Sequence, residues 1–321
     1  MKVKAEPLVQ WAKSNVQTLA IIVVFALLLV LFASLSPYFL TERNLASAGR
    51  DIAPTVIVAV AMTFVITAGQ IDLSPGSLLA VTGAALGIFG LQYNPLIAIA
   101  LVLLIGLGSG FFLGYISSYQ RVPAFIVTLA ALTGLRGVAE LMTGGYSTKI
   151  QSPILMWFGS GKIFSIYSAI WIAAIISIIG WYVFARTRYG LYTRAVGSGE
   201  ESARRVGINT RRIKMYVLAG TGIATAIGGI LVATRLGSGS SNIGVAFELE
   251  AITAVVLGGT NLLGGKGSII GSIIGALTLG VLENGLVLIG LNVFWVPILQ
   301  GAILLIAILA NYRIFSRIAI S

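Results

Sequence analysis

Few residues in this sequence could do chemistry, and their spacing decides which chemistry is open to them. The segment Gly258-Gly259-Thr260-Asn261-Leu262-Leu263-Gly264-Gly265-Lys266-Gly267-Ser268 has the glycine density of a phosphate-cradling loop. Such a loop needs Gly five residues ahead of the Gly-Lys pair and Ser or Thr directly after it, so that backbone amides and a hydroxyl surround the phosphates. Here Thr260 and Gly267 hold those places, and no buried strand precedes them. The segment is therefore expected to be a tight inter-helix turn, and any ATP-driven step must come from another chain. There is no Cys and no His, which removes thiolate and imidazole metal sites, thiol nucleophiles and Ser-His catalysis. No cofactor is expected on this chain.

Two other groups of polar residues stand out. Residues 186–214 form the only extended polar segment, with eight basic residues and the pair Glu200-Glu201. Gly197-Ser198-Gly199 breaks it, Glu200 to Val206 has the pattern of a short amphipathic helix, and Gly207-Ile208-Asn209 ends that helix. It could be a solvated basic loop, or a short helix framed by glycines that docks in a partner's groove. Arg136 and Glu140 are spaced i, i+4 within an apolar stretch, roughly 20 and 26 Å from its start at Pro123. Glu283 is expected at a similar height, and Arg235, Glu248 and Glu250 flank a nearby loop. These charges either snorkel to headgroups and pair for packing, or line an outer vestibule.

The elements that must position these groups are membrane helices. Of 321 residues, 57% are hydrophobic and only 10% charged, with a mean hydropathy of +0.99; a soluble domain carries about a quarter charged residues. Crossing a bilayer takes roughly 20 apolar residues. Ten spans are expected, at 17–36, 52–69, 76–91, 95–118, 123–143, 163–185, 215–235, 249–264, 267–289 and 294–312, forming one all-α transmembrane domain over residues 1–321. The first is expected to be an uncleaved helix, since no small-x-small site ends its apolar run. Small residues recur every four positions at Gly83 and Gly87, at Gly106, Gly110 and Gly114, and at Gly267, Gly271 and Gly275, a spacing that lets helix backbones approach closely in lipid.

Lys and Arg favour cytoplasmic loops. With the N-terminus inside, fifteen of the 21 basic residues fall on the inner side, five fall outside and Arg136 lies within a span. Both termini are thus expected in the cytoplasm. The net charge of +11 then faces anionic lipid and an intracellular protein partner, and no nucleic acid is expected.

Four stretches together resemble the permease subunits of bacterial ABC importers for ribose, xylose, galactose and related monosaccharides. They are Ala68 to Ser77 (AGQIDLSPGS), Arg121 to Leu129 (RVPAFIVTL), Gly197 to Ile213 (GSGEESARRVGINTRRI) and Phe247 to Gly267 (FELEAITAVVLGGTNLLGGKG). Asp72, Ser74 and Gly76 fall in the first. Where the family usually shows Gly-Ile-Asp-Leu-Ser, this chain has Gln70-Ile71-Asp72-Leu73-Ser74, followed by Pro75. The resemblance implies a type II importer bundle of about ten helices in the bacterial inner membrane, paired with a second permease copy, identical or paralogous. It also implies a cytoplasmic ATPase that carries the ATP and Mg, a sugar-binding protein outside, and a ribose-like monosaccharide as substrate. Gly197, Glu200, Ala203 and Gly207 would match the coupling element that transmits ATPase closure. The chain would be a transport subunit and not an enzyme. The rival class is an ion-coupled secondary transporter of a small polar solute, which commonly keeps acids or broken helices near mid-depth.

Overall fold

The computed structural model describes residues 16–292 and 294–318. Lys2, Lys4 and Lys13, three of the fifteen basic residues expected on the inner side, lie outside the described residues. The helices are α1 (Val16–Leu35), α2 (Glu42–Thr67), α3 (Pro75–Gln92), α4 (Pro95–Tyr119), α5 (Ala124–Thr143), α6 (Pro153–Ser160), α7 (Ser168–Arg186), α8 (Arg188–Ser198), α9 (Glu200–Arg205), α10 (Thr210–Leu236), α11 (Phe247–Leu257), α12 (Ile269–Leu288) and α13 (Trp295–Ile318). Loop ladders add β1 (Thr148–Lys149) paired antiparallel with β4 (Ser238–Gly239), and β2 (Lys162–Ile163) with β3 (Ile166–Tyr167).

Local chemistry sets many of the ends. Thr41 accepts from the Asn44 amide at the start of α2, Asn94 from Leu96 at the start of α4, and Ser268 from Gly271 at the start of α12; these side chains satisfy donors that have no partner inside the helix. Pro75 and Pro95 open α3 and α4, where a missing N–H costs nothing. Gly144 and Gly237 close α5 and α10 in the left-handed conformation.

Ten helices lie where ten spans are expected, but fewer meet the demands of a crossing. Among the described residues seven are long and apolar enough, α2, α3, α4, α5, α7, α10 and α12. The apolar runs of α1 and α13, Leu19–Leu35 and Trp295–Leu309, are shorter. The expected span at 249–264 is corrected: α11 has 11 residues, about 16 Å at 1.5 Å per residue, against about 30 Å of hydrocarbon. Beyond it the chain turns at Gly258 and Gly259, the second with φ of +89°. Helix α2 also starts ten residues earlier than the apolar run suggests, which puts Arg43, Arg50 and Asp51 on the helix.

Helices α2, α3 and α10 are buried along most of their length, while α4, α5 and α7 expose apolar side chains such as Leu104, Phe112, Ile126 and Ile178. Of the expected small-residue seams, those on α4 and α12 are present, but Gly267 precedes α12 and Gly87 packs on Thr148 of β1 and not on a helix. A Cβ on Gly106 would meet the Gly222 carbonyl at 2.5 Å, and one on Gly114 the Met215 carbonyl at 2.6 Å, so α4 lies backbone to backbone on α10. Gly271 and Gly275 bring α12 onto Gly258 and Ala254 in the same way.

Candidate functional site

The polar segment 186–214 folds as α8, α9 and the first turn of α10. Gly197 is not a breaker: it sits inside α8, where a Cβ would collide with the Thr67 carbonyl and meet the Gly265 amide nitrogen at 2.6 Å. The break falls at Gly199, and α9 follows. Ala203 is buried against Val196 and Ile213, while Glu201, Arg204 and Arg205 project outward with side chains more than half exposed. Gly207 has open space around it and φ of +84°, so a left-handed turn, not crowding, demands glycine there.

Glu200 ties α9 to α10. Its carboxylate accepts from the Thr210 hydroxyl at 3.1 Å and from the Lys214 ammonium, with Arg204 at 3.4 Å. Partial burial pushes its pKa upward, but the bond and charge of Lys214, with Thr210 and Arg204, outweigh that and hold the carboxyl below its ordinary range.

The turn from Gly258 to Ser268 closes around Asn261. Its amide nitrogen donates to the Lys266 carbonyl at 3.0 Å, its side-chain Nδ2 to the Gly264 carbonyl at 3.1 Å, and its Oδ1 accepts from the Leu263 amide at 3.1 Å. Gly265 then donates to the Thr67 carbonyl at 2.9 Å. The end of α2, the turn before α12 and α8 therefore meet at one point.

Asp72 lies in the segment between α2 and α3, 2% exposed, and its Oδ1 accepts from the Ser74 amide at 2.9 Å and the Ser74 hydroxyl at 2.7 Å. Burial pushes its pKa up to about 6 against those two bonds. Gly76, in the first turn of α3, presses on the carboxylate of Glu248 and the Gly244 carbonyl.

Five of the six charges proposed for an outer vestibule separate into two groups, and Glu140 joins neither. Arg235, Glu250 and Glu283 line one cavity of about 510 Å³ at the end of the bundle opposite α9. Arg235 pairs with Asp51 at 2.7 Å, and Glu250 accepts from the Thr55 hydroxyl at 2.8 Å. Asn284 also lines the cavity and exchanges hydrogen bonds with Asn44 at 2.9 and 3.0 Å. Arg136 and Glu248 lie together elsewhere: the guanidinium donates to the Ile243 carbonyl at 2.8 Å and also to the Ser241 and Gly244 carbonyls. Glu248 is 6% exposed and its Oε2 has no hydrogen-bond partner. Glu140 is exposed, and among the described residues Arg136 forms no ion pair with it. Asp51, Thr55, Asn44 and Asn284 were not among the expected site residues; a polar residue within an apolar helical stretch was the available signal for Thr55 and Asn284, while Asn44 and Asp51 lie in a charged run ahead of the expected span.

Long apolar helices seated on glycine seams, a polar element at one end and a charged cavity at the other define a multi-pass membrane protein, and its likeness to known proteins makes it a permease, a transport component and not an enzyme. The chain belongs to the family described as the branched-chain amino acid transport system permease component, which matches residues 44–308. It is 39% identical over 308 residues to the ribose import permease of Escherichia coli K12, covering 94% of this chain and 95% of that one. It is 37% identical to the ribose import permease of Haemophilus influenzae, covering 89% and 90%. Against the galactofuranose transporter permease of Escherichia coli K12 the figures are 35% identity with 83% and 81% coverage. No solved structure matches the chain.

Proposed function

We propose that this permease carries a ribose-like monosaccharide into the cytoplasm as the membrane subunit of an ABC importer, by alternating access. The observation that supports this reading most is the 39% identity to a ribose import permease sustained over 94% of the chain. The branched-chain name belongs to the wider family; the relatives aligned along most of this chain are named for sugars. In this reading the α9 end faces the cytoplasm and meets an ATPase that holds ATP and Mg, through the outward face of α9. A second permease copy completes the path, and a sugar-binding protein delivers substrate at the end carrying Arg235. The cavity there offers carboxylate and amide oxygens that suit sugar hydroxyls, with glycine seams along which helices can slide. Nothing covalent happens to the sugar.

The test is complementation. In a host lacking its own ribose permease, co-expression with its partner ATPase and sugar-binding protein should restore uptake of labelled ribose. Restored leucine uptake without ribose uptake would overturn the sugar assignment.

A further inference from the structure

The cavity of about 510 Å³ beside Arg235 falls within the range of small-molecule sites, roughly 300 to 1,000 Å³. The donors on its wall are already engaged. The Thr55 hydroxyl donates to Glu250 Oε1 at 2.8 Å, the Asn284 amide donates to Asn44 Oδ1 at 3.0 Å, and the Arg235 guanidinium pairs with Asp51 at 2.7 Å. Asp51 also accepts from Arg50 at 3.3 Å, whose guanidinium lies over the Tyr167 ring. Neither Arg50 nor Tyr167 lines the cavity.

The acceptors are left more open. Glu250 of α11 and Glu283 of α12 both line the cavity, and among the described residues neither forms an ion pair. Glu250 is partly exposed and gives one carboxylate oxygen to Thr55, which leaves the other; Glu283 is exposed. With Asp51 balanced by Arg235, the two glutamates give the wall an excess of negative charge, and an ionised carboxylate can only accept. A cleft between low-dielectric helices focuses such charge and changes the local concentration of an ion tenfold or more.

We propose that Glu250 and Glu283 are specificity-determining residues of the import path, which admits sugars whose recognition groups are hydroxyls and rejects sugars bearing a phosphate or a carboxylate. A sugar hydroxyl donates to a carboxylate, and two neighbouring hydroxyls can engage both oxygens of Glu283. A sugar acid, or a phosphate monoester above its second pKa of about 6, brings a charged group with no proton to donate. That group meets like charge on a wall whose donors are held by Asp51, Asn44 and Glu250, and repulsion of this kind separates a wanted ligand from its relatives. The inference rests on the importer reading and adds to it the class of sugar that can follow the path.

The chain contains no Cys, so a single introduced thiol reports the charge of the cavity. Val287, four residues after Glu283 on α12, lines the cavity and is 49% exposed. The experiment labels Val287→Cys, in the full chain held in phosphatidylcholine nanodiscs that add no net surface charge, with a cationic and an anionic methanethiosulfonate of similar size. The cationic reagent should be favoured at least about tenfold beyond its preference for a free thiol in solution. Glu283→Gln should reduce that excess several-fold, and Glu250→Gln added to it should bring the ratio to that of the free thiol. Ribose should slow labelling by either reagent, and ribose 5-phosphate at the same concentration should not. A ratio equal to that of the free thiol, an excess that survives the double variant, or equal effects of the two sugars would overturn the proposal, with thermal melts confirming that the variants fold. Charge preference without sugar import would count against the importer reading alone; import through a cavity indifferent to charge would count against this inference alone.

Discussion

The Thr67 carbonyl, at the last residue of α2, accepts a 2.9 Å hydrogen bond from the Gly265 amide, and Gly197 of α8 packs on both with no room for a Cβ. A displacement of α8 must therefore reach α2 and the turn before α12 together, because a packed contact without free volume transmits movement. Gly197→Val should abolish sugar-stimulated ATPase activity in the reconstituted importer while Gly220→Val, at a helix position with open space, keeps most of it. Equal activity in the two variants would remove Gly197 from the coupling route.

Glu200 and Lys214 hold α9 to α10 across the Gly207 turn. Glu200→Lys places two ammonium groups together and should lower sugar-stimulated ATPase activity about tenfold, as a loss of about 1.4 kcal/mol would, without loss of membrane insertion. The charge swap Glu200→Lys with Lys214→Glu should recover much of it. A swap as inactive as the single variant would mean that the pair is incidental.

Arg136 and Glu140 are one helical turn apart, a spacing from which a mutual ion pair is expected, with the double variant milder than either single. The structure assigns Arg136 three carbonyl acceptors from Ser241 to Gly244 instead. Arg136→Gln should therefore destabilise the protein by about 1–3 kcal/mol, the cost of leaving buried acceptors unsatisfied, Glu140→Gln should be nearly neutral, and the double variant should match Arg136→Gln. Rescue in the double variant, read by thermal melting, would restore the pairing account.

Asp72 gives stability a pH dependence. Its carboxyl titrates at about 6 in the folded chain against 3.8 ordinarily, so the native state holds the proton more tightly. Its contribution is complete below pH about 4 and is lost as pH rises through about 6; two pH units correspond to about 3 kcal/mol. Asp72→Asn keeps an oxygen for both Ser74 bonds and removes the charge. Its melting temperature relative to the wild type should climb between pH about 4 and 6.5; a constant difference would contradict the buried carboxyl.

What the sequence disclosed and what it hid divide along range. Helix positions and glycine seams were legible because lipid-crossing length and a four-residue spacing are local signals, as at Gly106, Gly110 and Gly114. The turn at Gly258 to Ser268 was legible because the phosphate motif's required residues are absent. Partners distant in the chain were not: the carbonyls of Ser241 and Ile243 lie more than a hundred residues from Arg136 and outcompete a carboxylate one turn away. Asp51 looked like a loop residue because the apolar run begins at Ile52, yet it sits on α2 facing Arg235. Half-length α11 was hidden because its apolar residues continue into Leu262 and Leu263 beyond the Gly258-Gly259 turn.

The proposed activity is ATP-driven sugar import through a permease that supplies no energy of its own. Its most direct test is uptake of labelled ribose into proteoliposomes holding the chain with its ATPase, sugar-binding protein outside and ATP inside. Accumulation should require all three proteins and cease with a non-hydrolysable ATP analogue. Accumulation by this chain alone, driven by a proton or sodium gradient and indifferent to ATP, would contradict it and favour an ion-coupled carrier.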